Sequence, residues 1–466
     1  MPQYLTTDLE DTIVALSTPQ GVGAIGVVRL SGKNAVHICN VAFRGKNLLE
    51  QATHTIHFGT IRDDHDKIID EVTVALFKEP HSYTKENVIE VSCHGSPYII
   101  QKVIELFLSY GARLAKPGEF TLRAFMNGRF DLSQAEAVAD LISSQSESAH
   151  QIALQQMRGG FSNQIEQLRE QLVNFAALIE LELDFGEEDV EFADRQQLVD
   201  LVTTIQQLIR RLRESFTLGN AIKNGVTTVI AGRPNAGKST LLNAILNEER
   251  AIVSEIAGTT RDTIEEVVNI KGVQFRLIDT AGIRDAQDQI EAIGVRKTME
   301  TIQKSTILVY VFDVIDTSSK EVEGDLQKLQ KEGLEIIAVA NKMDLDPYTK
   351  PENYVSEIID AEHIITTSAL NKMNIEHLKD SLYDIVLAKK LNSETTIVSN
   401  VRHFEALQQS YAALDRVLEG IHSGITGELL AFDIREALHH LGEITGQVDV
   451  DRDILGAIFS KFCIGK

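Results

Sequence analysis

A glycine, four intervening residues and then Gly-Lys-Ser is a spacing suited to holding phosphate. Here it reads Gly232-Arg233-Pro234-Asn235-Ala236-Gly237-Lys238-Ser239-Thr240. Backbone N–H groups of Asn235, Ala236, Gly237, Lys238, Ser239 and Thr240 would cradle an anion. Lys238 would reach the outer phosphates and the Ser239 hydroxyl would ligate Mg²⁺. Further along, Gly258-Thr259-Thr260-Arg261-Asp262 lies on a polar loop, where Thr260 can close over a γ-phosphate through Mg²⁺ and let go after hydrolysis. Asp279-Thr280-Ala281-Gly282 supplies a carboxylate for the metal's water shell and a Gly282 N–H for the γ-phosphate. Asn341-Lys342-Met343-Asp344 is a base reader, since the Asp344 carboxylate accepts from both the N1–H and the exocyclic amine of guanine. Adenine offers no such donor pair, and a site built to hydrogen-bond one base rejects the other strongly. Ser368-Ala369-Leu370 completes the pocket, so the nucleotide expected is GTP.

These motifs need strands that end where the chemistry begins. Val226 to Ala231 is a β-branched run suited to a buried strand, and Thr240 to Leu246 carries apolar residues on one face of a helix. Strand, glycine loop and helix N-terminus together aim N–H groups and a positive dipole end at an anion. Val273 to Ile278 leads into Asp279, Ile336 to Ala340 leads into Asn341, and Ile364 to Thr366 leads into Ser368. The nucleotide-binding segment spans about 220–385.

The flanks have a different texture. Residues 1–122 alternate short strands and turns: Thr12–Leu16, Ala24–Leu30, Thr53–Ile61, Glu71–Phe77 and Val88–Ser92, with an amphipathic helix over Tyr98–Tyr110. That is a compact α+β module. Within it Arg29 and Glu90 read, on periodicity alone, as surface or interstrand groups, and His94 as a structural histidine. Residues 123–219 and 386–466 are helical. Ser133 and Glu136 fit a capping box, and Gly159-Gly160 punctuates the run. The economical architecture is multidomain α+β and α/β, with one discontinuous helical bundle built from both flanks and a Ras-like P-loop domain inserted between them.

The 466 residues carry a net charge of −23, which argues against broad, non-specific nucleic-acid binding. Eight acidic side chains lie between Glu180 and Asp194, read as a solvated helix end and loop. No apolar run approaches the roughly 20 residues that cross a bilayer, and the N-terminus lacks signal-peptide features. Three cysteines, Cys39, Cys93 and Cys463, lie far apart without metal-ligand spacing, which suits reduced thiols in a cytoplasm.

Taken together, the chain resembles the MnmE (TrmE) family of tRNA modification GTPases from end to end. The resemblance rests on Asp11-Thr12-Ile13-Val14-Ala15, the run ending at Arg29, Pro117-Gly118-Glu119-Phe120 and Asp131-Leu132-Ser133-Gln134-Ala135-Glu136. Its most specific element is the terminal Phe462-Cys463-Ile464-Gly465-Lys466. It implies a homodimeric, cytoplasmic GTPase that acts with the flavoprotein MnmG on tRNA. The product would be an aminomethyl or carboxymethylaminomethyl group at carbon 5 of the wobble uridine. The one-carbon unit would come from 5,10-methylene- or 5-formyl-tetrahydrofolate on a folate-binding, dimer-forming N-terminal domain. Arg29, Glu90, Arg129 and Lys466 would contact the folate, although Arg129 stands where the family often has Lys. Cys463 falls at the family's C-terminal thiol.

Hydrolysis is unusual in one respect. Regulatory GTPases commonly place a water-orienting Gln after Asp-Thr-Ala-Gly, whereas this chain has Ile283. Arg261 and Arg284 are weak candidates for a built-in arginine finger. By the resemblance, K⁺ held by Asn235, Ser254, Ile256 and Thr259 supplies the missing charge. Lys238 and Asn235 then act with Glu291 as the catalytic set, Glu291 orienting the water. Ser254, Glu255, Ile256, Ala257, Gly258 and Thr259 would line the nucleotide. A ribosome-assembly switch would share the phosphate loop and Asn341-Lys342-Met343-Asp344 but has no need of the N-terminal module or the Cys463 tail. Against a scaffold whose GTP site only stabilises the dimer stands the intact set of Lys238, Ser239, Thr260, Asp279 and Glu291.

Overall fold

A computed structural model describes residues 11–184, 195–246, 265–279, 301–302, 305–331, 333–387, 396–425, 427–448, 455, 458–460, 462 and 465. The chain divides into two compact units. One comprises Met1–Ile142, Gln155–Val202 and Ala412–Lys466, and the other Ser143–Leu154 and Thr203–Tyr411.

The first unit opens with a 7-stranded sheet of order β3-β4-β5-β6-β2-β1-β7. Its strands are β1 (Ile13–Leu16), β2 (Ile25–Ser31), β3 (Phe43–Arg44), β4 (Thr55–Arg62), β5 (Ile68–Phe77), β6 (Val88–His94) and β7 (Arg113–Leu114). Neighbours are antiparallel except β1 and β7. Period-2 patterning sorts the faces. Val28, Leu30, Ile89 and Val91 pack beneath helices α1 (Ala35–Ala42) and α2 (Pro97–Ser109). Ile13 and Ala15 turn the other way, to Phe120 of α3 (Glu119–Met126). Each fully buried Leu, Ile or Phe contributes roughly 1.5–3 kcal/mol. Burial pushes the Cys39 thiol up to about 12; burial, reinforced by the Asp70 charge, takes Cys93 to about 11. Both thiols therefore act as small apolar side chains.

Strand β6 runs two residues beyond its expected end at Ser92. Asp70 accepts the His94 N–H at 2.7 Å, and its other oxygen meets the His94 Nδ1 at 2.7 Å. The carboxylate thus takes up the polar groups where the ladder stops, and His94 has the structural role expected of it.

Four helices follow: α4 (Leu132–Ser143), α5 (Glu147–Met157), α6 (Gly160–Asp184) and α7 (Arg195–Asn224). The capping box expected on Ser133 and Glu136 is not how α4 begins. Asp131 accepts the Gln134 N–H at 2.9 Å and the Ser133 hydroxyl at 2.9 Å. A carboxylate beside the positive end of the helix is favoured as the cap. Ser133 is buried inside the helix and bonds Ser162 at 2.7 Å.

The second unit holds a 6-stranded sheet of order β13-β12-β11-β8-β10-β9. Chain order runs β8 (Val226–Gly232), helix α8 (Lys238–Leu246), β9 (Glu265–Ile270), β10 (Val273–Asp279) and β11 (Ile307–Asp313). Helix α9 (Ser319–Leu329), β12 (Glu335–Asn341), β13 (Ile364–Thr366) and helix α10 (Ile375–Leu387) complete it. All pairs are parallel except β9 with β10. Apolar clusters cover both faces, which is why β11 reads as an unbroken buried run.

Two more helices, α11 (Val401–Ser423) and α12 (Gly427–Thr445), follow. Within the first unit α12 packs on α6, whose buried Phe161, Ile165, Leu168, Leu172, Ala176 and Ile179 recur at three- and four-residue steps.

Candidate functional site

Parallel pairing brings the carboxyl ends of four strands to one edge of the second sheet. Val311 lies opposite Gly232, Ile230 opposite Asp279, and Asp313 opposite Asn341. Ligands of open α/β sheets sit outside that edge. The loop after β8 presses hard on its neighbours. A Cβ on Gly232 (φ +150°) would lie 1.9 Å from the Val311 carbonyl oxygen, and one on Gly237 (φ +92°) 2.4 Å from Asn341 Nδ2. Asn235 holds φ +61°, a left-handed conformation that Asn tolerates better than most residues. Lys238 is buried, and its ammonium donates to the carbonyls of Gly232 at 3.0 Å and Arg233 at 2.8 Å. Ser239 donates to Asp279 Oδ2 at 3.2 Å, which places two hard oxygens together beside the loop. An oxygen-only donor set of this kind suits Mg²⁺.

The residues expected to read the base assemble across three segments. Asn341 donates to the Ala236 carbonyl at 2.8 Å and accepts from Ala369 N–H at 3.0 Å, stitching phosphate loop to base pocket. Lys342 takes φ +70° and its ammonium pairs with Asp313. Met343 is buried and its N–H meets the Thr367 carbonyl at 3.0 Å. Ser368 donates to Asp344 Oδ1 at 2.6 Å, which orients the carboxylate, while Leu370 stands exposed beyond it. Thr240 follows in the first turn of α8. Asp313 was absent from the sequence reading; its signal was its position at the end of an apolar strand beside Asn341.

A second gathering lies in the first unit. Strand register sets Arg29 opposite Glu90, and the pair closes at 2.8 Å. The Arg29 guanidinium lies over Tyr83 at 5.5 Å and Phe120 at 5.6 Å, and donates to the Gly465 carbonyl at 3.4 Å. Ser17 donates to the same carbonyl at 3.2 Å. Only glycine fits there, since a Cβ at Gly465 (φ +96°) would meet the Leu16 carbonyl oxygen at 2.1 Å. Tyr83 stacks edge-on to Phe130, which carries Arg129 over its ring at 5.3 Å. Burial, partly countered by the Thr121 hydroxyl and by Arg29 and Arg129, raises the Tyr83 phenol. Phe459 and Phe462 pack with Leu122 and Leu132, anchoring the C-terminal residues. A cation, its partner carboxylate and two aromatic faces thus gather in one cradle beside the Gly465 carbonyl. Tyr83 was not foreseen.

Ser254, Glu255, Ile256, Ala257, Gly258, Thr259, Thr260, Arg261, Thr280, Ala281, Gly282, Ile283, Arg284, Glu291, Cys463 and Lys466 lie outside the described residues.

Comparison with known families matches residues 132–463 to the MnmE helical domain and residues 12–129 to the GTP-binding protein TrmE N-terminus. The chain belongs to the MnmE family of tRNA modification GTPases. It is 55% identical to the tRNA modification GTPase MnmE of Cytophaga hutchinsonii over 100% of both chains. The MnmE of Flavobacterium psychrophilum is 52% identical, covering 98% of this chain and 99% of the relative. That of Christiangramia forsetii is 50% identical, covering 98% and 100%. As a member of the MnmE family the chain is a GTP hydrolase acting in tRNA modification.

Proposed function

We propose that the chain couples K⁺-assisted, Mg²⁺-dependent GTP hydrolysis to modification of the wobble uridine at carbon 5. It would act as a cytoplasmic homodimer with MnmG, adding an aminomethyl or carboxymethylaminomethyl group whose one-carbon unit arrives on tetrahydrofolate. The observation that carries this reading is the junction of Arg29 with Gly465, two residues 436 positions apart. It joins Gly465, which belongs to the most specific sequence feature, to the Arg29–Glu90 cradle. A GTP switch alone needs neither. Arg29, Glu90, Arg129 and Lys466 would bind the folate, and Cys463, at the position of the family's C-terminal thiol, is a candidate thiol for the uridine chemistry. Among the described residues no helix is long and apolar enough to cross a membrane.

In the GTP site, Lys238 holds the outer phosphates, and Ser239 with Thr260 and Asp279 serves Mg²⁺. Asn235 with Ser254, Ile256 and Thr259 holds K⁺, which supplies at the phosphates the positive charge an arginine finger would bring. Glu291 orients the attacking water.

Full-length protein titrated with 5-formyl-tetrahydrofolate should bind it, and Arg29→Gln should weaken binding at least roughly tenfold, the loss of one charge-assisted contact. Equal affinity in both proteins would remove the cradle from the reading. Phosphate release should run at least roughly tenfold faster in KCl than in matched NaCl, because the smaller Na⁺ fits the loop poorly and so does not bring its charge to the phosphates. Glu291→Ala should keep GTP binding and lose about 100-fold or more in turnover. Equal rates in both salts would dispose of potassium, and an undiminished Glu291→Ala rate would dispose of the glutamate.

A further inference from the structure

We propose that Arg233, braced from α9 by Glu321 and Asp325, is a positioning residue for GTP binding that acts through the Lys238 ammonium. It rests on the GTPase activity of the family alone, not on the tRNA or folate reading.

Arg233 is the first residue inside the phosphate loop, and its two ends do different things. Its carbonyl accepts the Lys238 ammonium at 2.8 Å and closes the turn to the Ala236 N–H at 3.4 Å. Its guanidinium donates to Glu321 Oε1 at 2.6 Å and to Asp325 Oδ2 at 2.8 Å. The same Asp325 oxygen accepts the Tyr310 hydroxyl at 2.6 Å, and Tyr310 is 1% exposed on β11. The first turn of the loop is therefore tied to a helix and, through one carboxylate, to the central strand. Glu321 is itself fixed, since it accepts the Ser318 N–H and hydroxyl in the capping box that starts α9.

Two arms of unequal weight make the brace. Arg233 and Glu321 are 37% and 45% exposed, so solvent screens this arm and it is the weaker of the two. Asp325 is 23% exposed and shared with a buried hydroxyl, so its arm fixes geometry more firmly. The Ser318 N–H, followed by Arg233, takes the Glu321 carboxyl down to about 2. At Asp325 burial works the other way, but the Arg233 and Tyr310 hydrogen bonds outweigh it and hold the carboxyl below its ordinary value. Both acids stay ionised across the neutral range, so the brace is permanent.

The need for a brace follows from the loop's conformation. Gly232, Asn235 and Gly237 all hold positive φ, so the loop depends on its surroundings to keep its shape. A carbonyl displaced by a few tenths of an ångström would move the ammonium away from where the outer phosphates must sit.

The test uses full-length protein with Mg²⁺ and KCl. Arg233→Gln and Asp325→Asn should each raise the KM for GTP and the Kd for GDP by roughly tenfold while kcat changes less than about threefold. Arg233→Lys, which keeps a cation but loses the fork, should recover part of the loss. Tyr310→Phe should cost less than Asp325→Asn. Because the residues form one chain of contacts, Arg233→Gln/Asp325→Asn should be no worse than Arg233→Gln alone within about twofold. The proposal is overturned if the single variants bind GTP and GDP within twofold of the parent, if their losses multiply in the double variant, or if only melting temperature falls.

Discussion

Asp344→Asn is expected to lower GTP affinity by about 10²–10³-fold and to make xanthosine triphosphate the better substrate. Guanine presents two donors, N1–H and the exocyclic amine, and a carboxylate can accept both. A hydrogen bond to a charged group is worth roughly 1.5–3 kcal/mol, and two of them amount to about two to three orders of magnitude or more. An asparagine retains one acceptor but turns a donor toward the amine. Xanthine carries a carbonyl where guanine has the amine, so the asparagine amide matches it donor to acceptor. The surroundings favour a clean exchange. Ser368 donates to Asp344 Oδ1 at 2.6 Å, a contact the asparagine oxygen can accept, and Asn341 remains to join the loop to Ala369. Competitive binding of the two triphosphates to parent and variant decides it. A variant that still prefers GTP would show that Asp344 is not what reads the base.

The gathering of the phosphate loop, Asp279, Asn341 and Ser368 at one sheet edge was legible because each of these lies at or just after a strand end. Parallel pairing then brings those ends together without further information. The cradle was not, because its chemistry is assembled by register. Arg29 and Glu90 are 61 residues apart, and nothing in either neighbourhood announces the partner until β2 and β6 are paired. Gly465 is more distant still and touches Arg29 through its backbone, which no side-chain pattern encodes. Only the family resemblance pointed there. The capping box was misplaced for a different reason: Asp131 and Ser133 both satisfy cap preferences, and the competition is settled by Ser133 finding Ser162 in the core. Arg233 drew no reading from the loop's spacing, since its partners lie 88 and 92 residues onward.

Lys238→Ala should be the more damaging change to turnover, lowering kcat/KM for GTP by roughly 10³-fold or more, about 4 kcal/mol of transition-state stabilisation. Lys238 is 8% exposed and its ammonium is already held by two loop carbonyls, so it meets the phosphates without reorganising. Alanine removes that charge from a partly desolvated place, where it counts for more than in water. The structural cost is separable. Two half-buried carbonyls lose a donor, a cost of about 1 kcal/mol each, so the fold should survive with a melting temperature lowered by only a few degrees. Phosphate release and thermal unfolding measured on the same preparation distinguish the two contributions. A folded variant retaining more than a tenth of the parent kcat/KM would mean that Lys238 serves the loop's shape and not the phosphates. The Arg233 brace, which matters only by placing this ammonium, would then lose its reason as well.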